Sequence, residues 1–266
     1  MKPGSLARWL STISAVASLF IAVAASAADV RVMISAGFFE AYSELANDFE
    51  RSTGHHLVTI RGPSLGDSPE AIPNRLKRGE PCDVVLMIGG SIDDLARQKL
   101  VRAGTKVDLA RSEIGMVVRA GAAKPDISSV DAFRRTLLEA KSIAYSDSGS
   151  GIYLSTTLFP KLGIADQLAP KSRKVRGPPS GEPVAAVVAR GEAEIGFQQM
   201  SELMHVSGVV VVGPIPEELQ PGSSFGGAVT TNAKQPRAAA ELLKFLSSKE
   251  AAPVITKMGL TPIAMR

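Results

Sequence analysis

Along the chain, short runs of β-branched and apolar residues alternate with longer stretches in which apolar residues return every three or four positions. Residues 29–35 (DVRVMIS) predict a strand. From Gly37 onward Phe39, Tyr42, Leu45, Ala46 and Phe49 recur at helical spacing, and Gly54 ends the helix. The same reading predicts strands over 57–61 and 83–88 and helices over 68–77 and 92–98.

From Ile114 the alternation begins again, with strands over 114–119 and 142–145 and helices over 129–140 and 151–162. A polar, Pro- and Gly-rich stretch over 171–181 precedes a helix ending at Arg190 and strands over 194–198 and 208–212. After Pro214, Pro216 and Pro221 comes a strand near 226–230, followed by helices over 236–247 and 251–258. Such alternation predicts an α/β fold of parallel strands covered by helices. The lengths suit two lobes: residues 28–107 with 222–266, and residues 108–221, with crossings near 107–112 and 213–224.

The first 27 residues stand apart: Lys2 and Arg8 precede an apolar run over 9–25, and Ala25-Ser26-Ala27 has the small-x-small form of a signal-peptidase site. The expected mature chain begins at Ala28 and is periplasmic, because no second apolar run reaches the roughly 18 residues a bilayer span needs. A 45% hydrophobic, 21% charged chain of 266 residues is globular, which excludes global disorder. Part of the formal charge of +4 leaves with the signal, so nucleic acid is not an expected partner. The single cysteine, Cys82, rules out an intrachain disulfide, and stability must come from the core of what is expected to be a monomer.

Several chemistries lack their residues. His55, His56, His205 and Cys82 stand in unrelated contexts, so no metal site is expected, and His55-His56 reads as a solvated turn. No phosphate-cradling glycine loop follows a strand, and no cofactor is expected. Gly222-Ser223-Ser224-Phe225-Gly226 matches the form of a nucleophile elbow, but no strand precedes it and no histidine follows His205; it reads as a Ser/Gly loop.

What the chain does carry is hydroxylic and glycyl residues where strands hand over to helices, the edge at which open α/β sheets bind ligands. Ser35-Ala36-Gly37, Gly62-Pro63-Ser64-Leu65-Gly66 and Ser146-Asp147-Ser148-Gly149-Ser150-Gly151 each precede a predicted helix. They can cradle an anion with hydroxyls and exposed N–H groups; equally, Ser64, Ser68, Ser148 and Ser150 can be caps and turn residues. Arg61, beside Ser64, is the charged contact best placed to clamp a carboxylate, whereas Lys77 and Arg78 read as surface charges at a helix end. Gln198 and Gln199 are polar where a buried run should continue, and their amides can line a cleft.

Together with the signal segment and the first Ser/Gly turn, Arg78-Gly79-Glu80-Pro81-Cys82-Asp83-Val84-Val85-Leu86, Ser150-Gly151-Ile152-Tyr153, Ala189-Arg190-Gly191-Glu192-Ala193-Glu194-Ile195-Gly196 and the ending from Ala251 to Leu260 resemble periplasmic molybdate-binding proteins of ABC importers. The resemblance implies a two-lobed type II periplasmic-binding fold that clamps an anion by hinge closure. In that family, loop serines and amides hold the oxyanion. The matching positions are Gly37, with Ser35 two places before it, Ser64, Ser150 and a position near Glu182, while a tyrosine of the family's site falls on Gln199.

The first expectation is therefore a solute-binding protein holding a small multiply charged anion, an organic polycarboxylate, for ABC-importer membrane subunits. Aconitate isomerase is similar to this family and supplies the alternative, an enzyme interconverting trans- and cis-aconitate by allylic proton transfer; a molybdate or tungstate receptor is the third. Candidate ligand contacts are Ser35, Gly37, Arg61, Ser64, Ser148, Ser150 and Gln199. For an enzyme the proton carrier could be Glu182, Asp67, Asp147 or Tyr153, none of which the sequence singles out.

Overall fold

The computed structural model describes residues 27–220 and 222–263, so the predicted signal segment, Ala27 apart, lies outside the described residues. In chain order the first elements are β1 (Asp29–Ile34), α1 (Ala36–Thr53), β2 (His56–Arg61), α2 (Ile72–Lys77), β3 (Val84–Ile88), α3 (Gly89–Arg97) and β4 (Val107–Ser112). Next come β5 (Ile114–Arg119), α4 (Val130–Glu139), β6 (Ile143–Ser146), α5 (Gly149–Tyr153), a π-turn (Leu154–Leu158), α6 (Phe159–Lys161), α7 (Ala165–Leu168), β7 (Ser172–Val175), α8 (Val184–Ala189), β8 (Ile195–Gln199), α9 (Met200–Leu203) and β9 (Val209–Pro214). The chain then runs through β10 (Ser223–Val229), α10 (Pro236–Leu246), α11 (Ala252–Lys257) and β11 (Thr261–Pro262).

These strands form two sheets, ordered β11-β4-β10-β3-β1-β2 and β7-β6-β8-β5-β9. Both are mixed, which corrects the expectation of parallel strands. The triplets β2-β1-β3 and β7-β6-β8 are parallel, whereas β10 runs antiparallel to β3 and β4, and β5 antiparallel to β8 and β9. Parallel neighbours need a crossover helix between them, while β5 and β10 enter directly from the opposite sheet and need none. Only Glu113 separates β4 from β5, and the return passes between Pro214 and Ser223. The pairing of β4 with β10 and β11 places residues 107–112 in the first sheet.

Helices cover both faces of each sheet, which is why runs such as Val84–Met87 are apolar at every position rather than alternately. On one face of the first sheet Phe38, Ala41, Tyr42, Leu45 and Phe49 of α1 pack with Leu242, Leu243 and Leu246 of α10. On the other face Ile72, Leu76, Ile92 and Leu95 cover Met33, Val85 and Met87. Phe38 therefore takes the core position expected of Phe39. Gly54 ends α1 in the left-handed conformation (φ 74°), where glycine carries no Cβ penalty.

Four local expectations are corrected. The helix expected over 68–77 starts only at Ile72, because the Ser68 hydroxyl accepts the Glu70 N–H at 3.2 Å and closes a turn there instead. The stretch 171–181 holds β7, whose exposed Arg173 and Lys174 on an edge strand hid it from a hydrophobic pattern. The Gly222–Gly226 segment is largely strand, from Ser223 onward in β10, not a loop. His55 is buried rather than solvated: its Nδ1 accepts the Ala28 N–H at 3.2 Å and its Nε2 lies 3.2 Å from Glu241, while His56 is exposed.

Candidate functional site

The ends of β1, β3, β6 and β8 converge where the two sheets face each other. A small cavity of about 20 Å³ there is lined by Ser35, Gly37, Ser64, Ser148, Gly149, Ser150, Gln199 and Glu202, among others. Six of the seven ligand contacts expected from sequence thus meet in one place; the seventh, Arg61, lies next door. A second cavity of about 190 Å³ is lined by Glu40, Arg61, Gln198, Ser201, Glu202 and His205 among others, and the two cavities meet at Ala36 and Glu202. Another cavity, of about 270 Å³, lies elsewhere, between apolar Leu109, Leu246, Ile255 and Ile263, with Lys249 the one charged residue lining it.

In the small cavity the hydroxyls are held but not consumed. Ser35 follows β1 with its N–H bonded to the Leu86 carbonyl at 2.9 Å, and its buried Oγ has no partner among the described residues. Ser64 Oγ accepts the Ile88 N–H at 3.1 Å, which leaves its own proton to donate. Ser150 Oγ lies 3.1 Å from Ser146 Oγ, which in turn accepts the Gly151 N–H. Gln199, 3% exposed, donates through Nε2 to Ser223 Oγ at 3.2 Å, and its Oε1 is unpartnered. Buried polar groups without partners are costly, and an anion entering here would satisfy the hydroxyls.

Gly37, which lines this cavity, and Gly151, next in the chain to Ser150, leave no room for a side chain. A Cβ at Gly37 would lie 2.3 Å from Phe225 Cζ, so the phenyl ring occupies the space that a serine would need. A Cβ at Gly151 would lie 1.7 Å from the Ser146 carbonyl oxygen, which is backbone and cannot step aside. Gly151→Ala is expected to cost about 1–3 kcal/mol of stability through overpacking. An unchanged urea midpoint would contradict this close approach.

The larger cavity carries charge. Arg61, at the end of β2, lies with its guanidinium carbon 3.9 Å from the Phe39 ring centroid and makes no ion pair among the described residues. Half-burial lowers its pKa, against the raising effect of Glu40 and Glu202. A cation facing a cavity with no carboxylate within ion-pair distance among the described residues is available to a ligand carboxylate. Glu202, on α9, is desolvated, which pushes its carboxyl up to about 7; the Gln198 hydrogen bond and the Arg61 charge oppose that rise. Gln198 Nε2 donates to Glu202 Oε1 at 2.6 Å. Segments of the two sheets meet directly around this site: Ser201 Oγ donates to the Gly37 carbonyl at 2.7 Å, and Glu70 accepts from Ser180 and, at 3.4 Å, from Arg176.

The four proton carriers considered from sequence line neither cavity. Glu182 is clamped on the surface by Arg190 at 2.6 and 2.8 Å, which holds its carboxyl below the usual range. Asp147 accepts the Gly177 N–H at 3.1 Å, Asp67 is exposed, and Tyr153 donates to the Leu219 carbonyl at 2.6 Å. Sequence reasoning missed Glu202. Its one signal was a glutamate four residues after Gln198, across a helix of four residues too short to leave a periodicity.

Two α/β sheets with loops of both lining a polar cavity suit a protein that binds a small solute. A sequence model of bacterial extracellular solute-binding proteins matches residues 30–261, and the chain belongs to that family. It is 47% identical over 232 residues to an aconitate isomerase of a Pseudomonas species, 87% of each chain being covered. A molybdate-binding protein of Azotobacter vinelandii is 27% identical over 90% of this chain and 92% of its own. Among solved structures, a sulfate-binding protein of Mycobacterium tuberculosis superposes with a TM-score of 0.70 at 18% identity, covering 89% of this chain and 87% of that one. The last match shows the fold alone. The family resemblance and the type II periplasmic-binding architecture expected from sequence are both found, and the family's members are exported.

Proposed function

We propose that the protein is an isomerase of an unsaturated tricarboxylic acid, interconverting trans- and cis-aconitate, with Glu202 as the proton carrier. The observation that carries this reading is the position of Glu202: its residue lines both cavities, between the serine cradle and Arg61. The 47% identity to an aconitate isomerase supports it. In this reading the small cavity takes one carboxylate of the substrate through Ser35, Ser64 and Ser150, and Arg61 pairs with a second.

Ionised Glu202 then removes a proton from the methylene carbon; the C–H electron pair moves into the allylic system while the double bond shifts. Neutral Glu202 returns the proton at the other end, so no proton is gained or lost overall. A carboxyl that titrates near neutrality can both accept and donate in this way. Arg61 offsets charge as it develops on the delocalised carbanion. The lobes expected over 28–107 with 222–266 and over 108–221 would close on the substrate, with Glu70, Arg176 and Ser180 bridging them.

Family membership equally supports a receptor that hands its anion to importer membrane subunits, since the cradle is the same. The deciding experiment is to add trans-aconitate to purified protein beginning at Ala28 and follow cis-aconitate. Appearance of cis-aconitate is expected. A thermal shift with aconitate but no turnover would make the protein a receptor, and a shift with molybdate alone would return it to oxyanion binding.

A further inference from the structure

Two neighbours favour the ionised form of Glu202: the Gln198 amide, which donates to Oε1, and the backbone N–H of Gln199. Oε1 accepts from Gln198 Nε2 at 2.6 Å, and Gln198 is itself held in one orientation, because its Oε1 accepts the Val184 N–H at 3.0 Å. Val184 opens α8, so its N–H has no intrahelical partner and depends on this side chain. Turning the amide over would set its oxygen against the carboxylate and its NH₂ against a backbone N–H, losing two hydrogen bonds at a residue 2% exposed. An NH₂ group is therefore fixed against Oε1 in both protonation states. The carbonyl oxygen of a carboxylic acid is its better acceptor, so Oε1 keeps that role and the proton rides on Oε2.

Resting on the isomerase reading, we propose that Gln198 is the positioning residue of the reaction, fixing Oε2 of Glu202 as the oxygen that takes up and returns the substrate proton. Gln198 touches no reacting atom; it acts through Glu202. Its NH₂ also favours the ionised carboxyl, so its loss should make Glu202 a weaker acid. The other charged or titratable groups around the cavity are Arg61 on β2, Glu40 on α1 and His205 after α9, and none of these is altered in the test.

Two variants separate this role from a packing one. Gln198→Met nearly keeps the volume of the side chain and Gln198→Leu does not, and both remove the two bonds without adding a charge. With ¹³C-labelled glutamate, and the Glu202 resonance identified by its loss in Glu202→Gln backgrounds, the Glu202 midpoint should move up by at least one pH unit in each variant that folds. The acid limb of kcat for trans-aconitate should move by the same amount while KM changes less than threefold. A midpoint and a limb that stay in place in a folded variant would overturn the assignment. An upward midpoint in a protein that never turns over aconitate would uphold the Gln198–Glu202 coupling and remove the isomerase reading, so the two failures are distinguishable.

Discussion

Glu202→Gln should abolish most turnover of trans-aconitate, lowering kcat by roughly 10²–10⁴-fold, the range a positioned acid or base contributes, while leaving substrate binding nearly intact. The amide fills the same volume and can still accept from Gln198, so the cavity keeps its shape. A variant retaining more than a tenth of wild-type kcat would take the proton-carrier role from Glu202. The same substitution has a signature in stability. Folding raises this carboxyl from the usual ~4.3 of a glutamate up to about 7, through desolvation first. Between those values the folded chain holds a proton that the unfolded chain has released, so stability falls as pH rises through that window and levels off above it. The loss is on the order of 3 kcal/mol. Denaturation of wild-type protein and Glu202→Gln from pH 4 to 8 should show the slope in the first and its reduction in the second.

Arg61→Ala should weaken aconitate binding by about 2–5 kcal/mol, much of it from leaving a desolvated ligand carboxylate unmatched. Its guanidinium is the one cation in the larger cavity that lacks a carboxylate within ion-pair distance among the described residues, and the Phe39 ring beneath it sets its direction. Arg78 provides the control. It is exposed, donates to the Pro69 carbonyl at 2.7 Å and lies 3.7 Å from Glu80, so Arg78→Ala should change binding by less than about 1 kcal/mol. Calorimetry on the two variants checks the pair. Tight molybdate binding that survives Arg61→Ala, with no binding of tricarboxylates, would contradict the organic-acid assignment.

Much of the small cavity's lining was legible because strand ends carry punctuation. Ser35-Ala36-Gly37, the Ser64 loop and Ser148–Ser150 are short polar breaks between apolar runs, and in an open α/β sheet such breaks collect at one edge. Arg61 was legible for the same reason, as the charge that ends an apolar strand. The acid candidates were not, because a carboxylate in a loop looks alike whether it pairs with Arg190, as Glu182 does, or faces a cavity. Phe39 shows a smaller version of this ambiguity: its spacing from Tyr42 fits the core stripe, yet it lies under Arg61 while its neighbour Phe38 is the one fully buried.

The α/β alternation, the export expectation, the exclusion of an intrachain disulfide by the single cysteine and most residues lining the small cavity follow from the sequence by itself. Each depends on residues close together in the chain, whose pattern is local. Which strands run antiparallel, how Phe225 fills the space beside Gly37, and how Glu202 comes to lie between Gln198 and Arg61 were decided by the tertiary structure. These depend on desolvation and on contacts between residues up to about two hundred positions apart, quantities that arise only once the two sheets are packed against each other.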